Sequence, residues 1–347
     1  MNIINNKAYP SVGLFTSVVF NNIGNAFIDY GAEATIKAAL PEVEIIKVSS
    51  FANFAATQGR FFLLKENPLV NFVWTRVMQK HAKKMHDRAY NAVNTVDVFS
   101  PAKIVNLDYL IVPGCTLTVP FFTIYGKLLE EKVKNGCKII FWAASGNHYT
   151  KNEVETVTEW LKVLKPYAIC TRDSVAFDYY NSLSDNVLNG IDNVFFVNLL
   201  RLPKVTTSID PYVVLNFDEP KHNSIKKKLQ ETLENRHIVQ TNHKPFPYSK
   251  VFSLVKKNVM ISENPLDYLF LYNNVKETYT DRVHACIPTL SFGNKAQLFS
   301  DSPRIALFEN VKLDLNEMKN RPVQIDKDVL RNLQNKQIEF LRNILTK

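Results

Sequence analysis

Short apolar runs rich in β-branched residues alternate with stretches of helical period along most of the chain. In the first half, residues 12–19 (VGLFTSVV), 44–48 (EIIKV), 109–114 (YLIVPG) and 137–145 (CKIIFWAAS) predict strands. Between and before them, 26–39, with apolar Phe27, Ala34 and Ala38, then 68–94 and 122–134 predict helices. The pattern continues with helix 151–164, strand 167–172, helix 174–183 and a short apolar run at 193–198 (NVFFVN). Residues 201–211 (RLPKVTTSIDP) break the period with two prolines and several polar residues, as a linker would. Beyond them the alternation restarts: 212–217, 237–242, 259–262 and 277–282 predict strands, and 220–235, 247–257, 264–273 and 283–291 predict helices. Residues 326–345 predict a last amphipathic helix with Leu330, Leu333, Ile338, Leu341 and Leu345 on one face.

Strand and helix in alternation call for parallel sheets covered on both faces. The expected fold is therefore α/β, with two Rossmann-like parallel-sheet domains facing a cleft. The N-terminal domain is expected over 1–200 and the C-terminal one over 201–325, with helix 326–347 packing back on the first. A length of 347 residues also favours two cores over one. Ligands of such folds bind outside the carboxyl ends of the strands, so chemistry is sought there.

Composition narrows the field. With 46% hydrophobic and 22% charged residues the chain is globular. Its longest apolar candidate, YLIVPGCTLTVPFF at 109–122, is interrupted by two prolines and a glycine and does not predict a membrane span. The start lacks a secretory profile, and the expected location is cytoplasmic, with a peripheral place at the inner face of the membrane left open. Cys115, Cys137, Cys170 and Cys286 stand far apart among apolar neighbours, which predicts neither disulfide nor metal site. The formal charge of +9 suits nucleic acid, anionic membrane or phosphorylated metabolites. Aromatics scattered through core patterns offer no stacking platform, which argues against nucleic acid. Segment 68–90 mixes Phe72, Trp74 and Val77 with Arg76, Lys80, Lys83, Lys84 and Arg88. It is a candidate for peripheral membrane contact or for steering a lipid-linked glycan, although such a helix more often packs its apolar side on a sheet and leaves its lysines in water.

Three stretches carry candidate chemistry. In FNNIGNAFIDYGAEATI, 20–36, Asn22, Gly24 and Asn25 form a strand-to-helix turn where backbone and helix N-terminus can approach an anion or a sugar. Asn-Gly turns are also common with no ligand at all. Asp29 and Glu33, one helical turn apart, could bind sugar hydroxyls or simply face solvent. In CTRDS, Arg172 ends a strand, where its planar fork would either face the cleft and suit a carboxylate or phosphate or form a surface ion pair with a neighbouring acid, while Asp173 or Ser174 caps the next helix. In TDRVHACIPTLSFGNKAQLFSDSPRI, 280–305, Arg282 and His284 share one turn, so an anion holder and a proton carrier project together; Lys295 and Arg304 add positive charge.

NNIGNAFIDYGA, the arginine of CTRDS, TDRVHACIPTLSFGNKAQLF and DSPRI resemble, in order and spacing, the polysaccharide pyruvyl transferase family over most of residues 10–310. The resemblance implies a GT-B-like pair of domains and transfer of the enolpyruvyl carbons of phosphoenolpyruvate, as co-substrate and without a cofactor, onto sugar hydroxyls of a cell-envelope polysaccharide or its precursor. It implies further that Arg172, Arg282 and His284 occupy donor-site positions, and that Arg304 stands where relatives often carry lysine. Asn25 stands where relatives often have aspartate, which removes an acid or base at that position. The alternative is a GT-B glycosyltransferase with a nucleotide-sugar donor, which would share the architecture.

Overall fold

The computed structural model describes residues 9–16, 22–49, 101–200, 202, 208–209, 211–244 and 259–346. The expected helices 68–94 and 247–257, the basic segment 68–90 and most of the 201–211 linker lie outside the described residues.

Among the described residues the strands make two parallel sheets. The first joins β1 (Val12–Thr16), β2 (Ile45–Ser49), β3 (Tyr109–Pro113), β4 (Lys138–Ala144), β5 (Ala168–Thr171) and β6 (Val187–Asn189) in the order β2-β1-β3-β4-β5-β6. The second joins β7 (Tyr212–Asn216), β8 (His237–Thr241), β9 (Val259–Met260), β10 (Glu277–Thr280) and β11 (Lys295–Leu298) in the order β11-β10-β7-β8-β9. The described helices are α1 (Gly24–Ala39), α2 (Val119–Lys134), α3 (Lys151–Leu164), α4 (Ser174–Tyr180), α5 (Asn223–Thr232), α6 (Pro265–Asn274), α7 (Val283–Ser291), α8 (Leu315–Asn320) and α9 (Lys327–Leu345). Two 3-10 segments, Asn193–Leu199 and Pro303–Val311, complete the frame of the site. These are the two parallel α/β sheets that the hydrophobic pattern predicts.

Central strands are buried on both faces, yet their residues still divide by alternation. Tyr109 and Ile111 of β3, with Ile140 and Trp142 of β4, turn to a core that contains Ala32 and Ile36 of α1. Leu110, Val112, Ile139 and Phe141 turn the other way, onto Phe122 and Leu129 of α2 and Val157 and Leu161 of α3. The last helix, α9, reaches back to the first sheet: Leu341, Ile344 and Leu345 join the core of β1 and α1, and the Arg342 guanidinium donates to the carbonyls of Ala38 and Ala39. Helix α2 begins at Val119, earlier than the apolar period implies, because Thr118 caps it and Pro120 is tolerated in its first turn.

A third core spans both sheets. Phe27 and Ile28 of α1 and Val194 to Val197 pack with Tyr268, Leu269 and Tyr272 of α6 and Ala285 to Ile287 of α7. Here α1 lies so close to the 193–199 segment that a Cβ on Gly31 would fall 1.8 Å from the Asn193 carbonyl oxygen. Only hydrogen fits, and the obstacle is backbone, which cannot rotate away. We expect Gly31→Ala to destabilise the fold by at least the roughly 1–3 kcal/mol typical of overpacking. A urea denaturation curve for the variant should show the lowered midpoint, and Ala38→Gly, at a partly exposed position of the same helix, should show mainly its helix-propensity loss of about 1 kcal/mol.

Candidate active site

All the singled-out residues that come together do so at the carboxyl ends of parallel strands, where the sheet leaves loops free to carry chemistry. Three contacts bring the two sets of ends face to face. Ile23 N, after β1, donates to the His243 carbonyl, after β8, at 3.1 Å. His284 Nε2, after β10, lies 3.8 Å from Asp192 Oδ2, after β6. Arg304 Nη2, after β11, donates to Asn147 Oδ1, after β4, at 3.2 Å.

Arg172 follows β5 as expected, but its side chain does not open onto a cleft. It is 2% exposed, and its Nη1 bonds Asp192 Oδ2 at 2.7 Å, with Asp192 itself 1% exposed. A guanidinium this deep needs a counter-charge, and the carboxylate provides it. Burial alone would hinder ionisation of Asp192, yet Arg172, His284 and the Val194 N–H outweigh it and hold the carboxyl well below the usual carboxylate range. Asp173 caps α4 through Ala176 N and accepts from the Tyr149 hydroxyl.

Arg282 and His284 sit where the sequence puts them, at the N-cap and in the first turn of α7. Arg282 Nε contacts Asp218 Oδ2 at 3.2 Å. Asp218 in turn accepts from the N–H groups of His243 and Lys244, so one carboxylate ties the arginine to the loop after β8. Asp281, just before Arg282, accepts from the N–H groups of Asp218 and Glu219 and lies 3.0 Å from His222 Nδ1. His284 is lowered from the usual histidine value: burial lowers it, contact with Asp192 raises it, and the Arg172 and Arg304 charges lower it.

Gly24 is explained by protein contacts. A Cβ there would stand 2.9 Å from the His284 Cβ and 3.2 Å from His243 Nδ1, so the turn must be bare for both histidines to pack beneath it. The Asn22 carboxamide fixes the turn, accepting from Gly24 N and donating to Asn25 Oδ1, each at 3.2 Å. Asp29 is buried in α1, and Glu33 pairs with Lys47 at 2.7 Å, which directs that carboxylate away from the site.

Lys295 is not gathered with the others. It is exposed at the amino end of β11, level with Glu277, whereas Arg282 and His284 follow the carboxyl end of β10. The stretch 295–298 is a strand, so its first residue faces the far rim of the sheet, roughly 10 Å away along the chain direction. Arg304, by contrast, is exposed and bonded only to neutral groups among the described residues: Asn147 Oδ1 at 3.2 Å and Cys115 Sγ at 4.0 Å. The loop that presents Asn147 is itself held by buried Glu153, which accepts from the N–H groups of Asn147, His148 and Tyr149. Among the described residues no group of three His, Cys, Asp or Glu side chains could hold a metal ion, and no helix is long and apolar enough to cross a membrane.

Two residues stand out that the sequence reading missed. Asp192 lies in NGIDN, where it reads as an ordinary cap. His243 follows a predicted strand, which was the available signal. It is buried, with Nε2 2.7 Å from the Tyr272 hydroxyl and Nδ1 without a hydrogen-bond partner among the described residues. Burial, then the charges of Arg282 and His284, push His243 well below the usual histidine value.

The frame is thus a two-sheet α/β one, with arginines and a histidine at facing strand ends. The sequence model of one family, polysaccharide pyruvyl transferase, matches residues 22–295, which contain β2 to β10 and every site residue except Arg304. The chain belongs to the polysaccharide pyruvyl transferase family. No curated protein matches it. Among solved structures it is similar to the S. aureus MnaA-UDP co-structure, at 12% identity and a TM-score of 0.49, with 95% of this chain and 90% of that chain covered. It is also similar to a putative UDP-N-acetylglucosamine 2-epimerase from Listeria monocytogenes, at 11% identity and a TM-score of 0.48, with 96% and 90% covered. A UDP-GlcNAc 2-epimerase from Neisseria meningitidis bound to UDP-GlcNAc follows at 10% identity and 0.45, with 95% and 93% covered.

Buried His243 and largely covered His284 give the site a pH signature. Unfolded histidine titrates near 6.5. Because both are depressed in the native state, the unfolded chain binds more protons below that pH, and stability falls as pH falls until the folded values are passed. The slope is at most about 1.4 kcal/mol per pH unit for each group. The depressed Asp192 acts in the same direction, but only below about pH 4. We expect the urea midpoint to drop between pH 7 and pH 5, and the drop to be shallower in His243→Gln.

Proposed function

We propose that the protein transfers the enolpyruvyl carbons of phosphoenolpyruvate onto two hydroxyls of a cell-envelope polysaccharide or its lipid-linked precursor, forming a pyruvate ketal. The observation that carries this is the approach of Arg304 and Arg172 to one largely covered imidazole, His284, at facing strand ends, with Arg282 two residues before it on the same turn. Family membership supports the reaction class.

The charge is distributed unevenly. Arg172 and Arg282 are already paired with Asp192 and Asp218, so Arg304 brings the positive charge not yet matched by a carboxylate among the described residues. An entering carboxylate or phosphate would replace its neutral partners with a charge-assisted, two-point contact. Arg282, half-covered at the rim, can share its remaining donors with the same dianion.

The chemistry then runs in three moves. Protonated His284 gives its proton to the methylene carbon, whose double-bond pair forms the new C–H bond and leaves a cationic carbon stabilised by the enol oxygen. One sugar hydroxyl attacks that carbon and returns its proton to the imidazole. The C–O bond to phosphate breaks, a second hydroxyl takes its place, and that hydroxyl's proton leaves with hydrogen phosphate. One hydroxyl proton thus ends in the methyl group and the other in phosphate, with no oxidant or reductant needed.

General acid–base catalysis contributes roughly 100- to 10,000-fold. His284→Gln should fold and lose at least that lower factor in kcat, measured as phosphate release from phosphoenolpyruvate with an acceptor glycan. Arg304→Met should mainly raise KM for phosphoenolpyruvate. Mass spectrometry of the glycan should show the gain of one pyruvate ketal. Thermal stabilisation by a UDP-sugar but not by phosphoenolpyruvate would instead indicate a nucleotide-sugar donor.

A further inference from the structure

Asp192 does more than neutralise an arginine. Its Oδ1 accepts from Val194 N at 2.8 Å and caps the 193–199 segment, while its Oδ2 is shared by Arg172 Nη1 at 2.7 Å and His284 Nε2 at 3.8 Å. The second distance is an ion-pair separation, longer than a formed hydrogen bond, of the kind that tightens when a ligand closes a site. The His284 Cβ lies close to Gly24, where an added Cβ would stand 2.9 Å from it. Its Nδ1 makes no hydrogen bond among the described residues, and the side chain keeps 12% exposure.

We propose that Asp192 is the positioning residue of the site, directing the Nε2–H of His284 toward one carboxylate oxygen and so leaving Nδ1 as the nitrogen that exchanges a proton with substrate. The catalytic half of this proposal rests on the pyruvyl-transfer reading; the tautomer and its titration do not. Four charged or titratable groups face the imidazole: Arg172 after β5, Asp192 after β6, His243 after β8 and Arg304 after β11. The arginines and burial disfavour imidazolium, and Asp192 opposes them. With the carboxylate gone, the first proton transfer would begin from a nearly empty acid.

Asp192→Asn tests this, since the amide keeps the oxygen that caps Val194 while removing the charge. Nitrogen-15 NMR of histidine-labelled protein, with the His284 signal identified by its absence from His284→Gln, reads the tautomer and the titration without substrate. Expected results are an Nε2-protonated neutral ring in the wild-type protein and a lower titration midpoint in Asp192→Asn. An Nδ1-protonated wild-type ring, or an unchanged midpoint in the variant, overturns the proposal. Should Asp192→Asn fail to fold, the wild-type tautomer decides alone. In turnover, Asp192→Asn should lower kcat by roughly 100-fold, the lower bound for general acid–base catalysis, with KM for phosphoenolpyruvate little changed and the alkaline limb of the rate profile moved to lower pH. If wild-type protein shows no turnover of phosphoenolpyruvate, the functional reading fails and the NMR outcome stands on its own.

Discussion

The buried pair of Arg172 and Asp192 is the constraint on which the site depends. Taking two charges out of water is unfavourable by several kcal/mol for each ion, and such a pair persists only when both partners and their hydrogen bonds are in place. Here they come from the ends of neighbouring strands β5 and β6, while the histidine that completes the trio comes from the other sheet. The charge pair and the cross-sheet core of Phe27, Val194 and Ala285 therefore hold the same seam. One supplies adhesion without direction, the other supplies direction at a desolvation penalty that the first offsets.

Around that seam, carboxylates fasten loops. Asp281 collects two consecutive backbone N–H groups from the loop after β7, Asp218 collects two from the loop after β8, and Glu153 collects three from the loop after β4. Each of these N–H groups would otherwise need water in a crowded place. A chain with net positive charge thus places its buried acids where backbone donors converge, and the arginines stand on scaffolding those acids hold still. Backbone geometry beside the Glu153 loop is correspondingly forced: Ala143 and Tyr149 adopt positive φ, and the β4–β5 register shifts between Phe141 and Ala144.

The fold was legible because hydrophobic period is a local property. Helices 151–164 and 283–291 have the bounds the pattern predicts, and β3, β4 and β7 fall inside the predicted apolar runs. Elements with weak or short patterns escaped: β6 has three residues, and β11, KAQL, begins with lysine and contains glutamine. Lys295 was grouped with Arg282 for its charge and its nearness in sequence, but as the first residue of a parallel strand it lies level with Glu277, at the other end of the sheet. Arg172, Arg282, His284 and Arg304 were singled out by residue type, spacing and resemblance to a family, and the structure brings them to facing strand ends. Asp192 was not, because its partners lie 20 residues before it and on a different sheet, a relation that no local pattern encodes. His243 escaped for the same reason, its significance arising only from the Gly24 turn that folds onto it.

Arg304 rests on an amide oxygen and a thiol, in contrast to Arg172 and Arg282, which rest on carboxylates. Lifting it off Asn147 gives up a neutral hydrogen bond, worth about 1 kcal/mol net, and dissolves no ion pair. The amide keeps this arginine aimed without satisfying its charge, so under the proposed reading an arriving anion would meet a guanidinium already oriented and still electrostatically hungry. Replacing Asn147 by an acid would turn that waiting posture into a closed one, with the site occupied by its own side chain before any donor arrived.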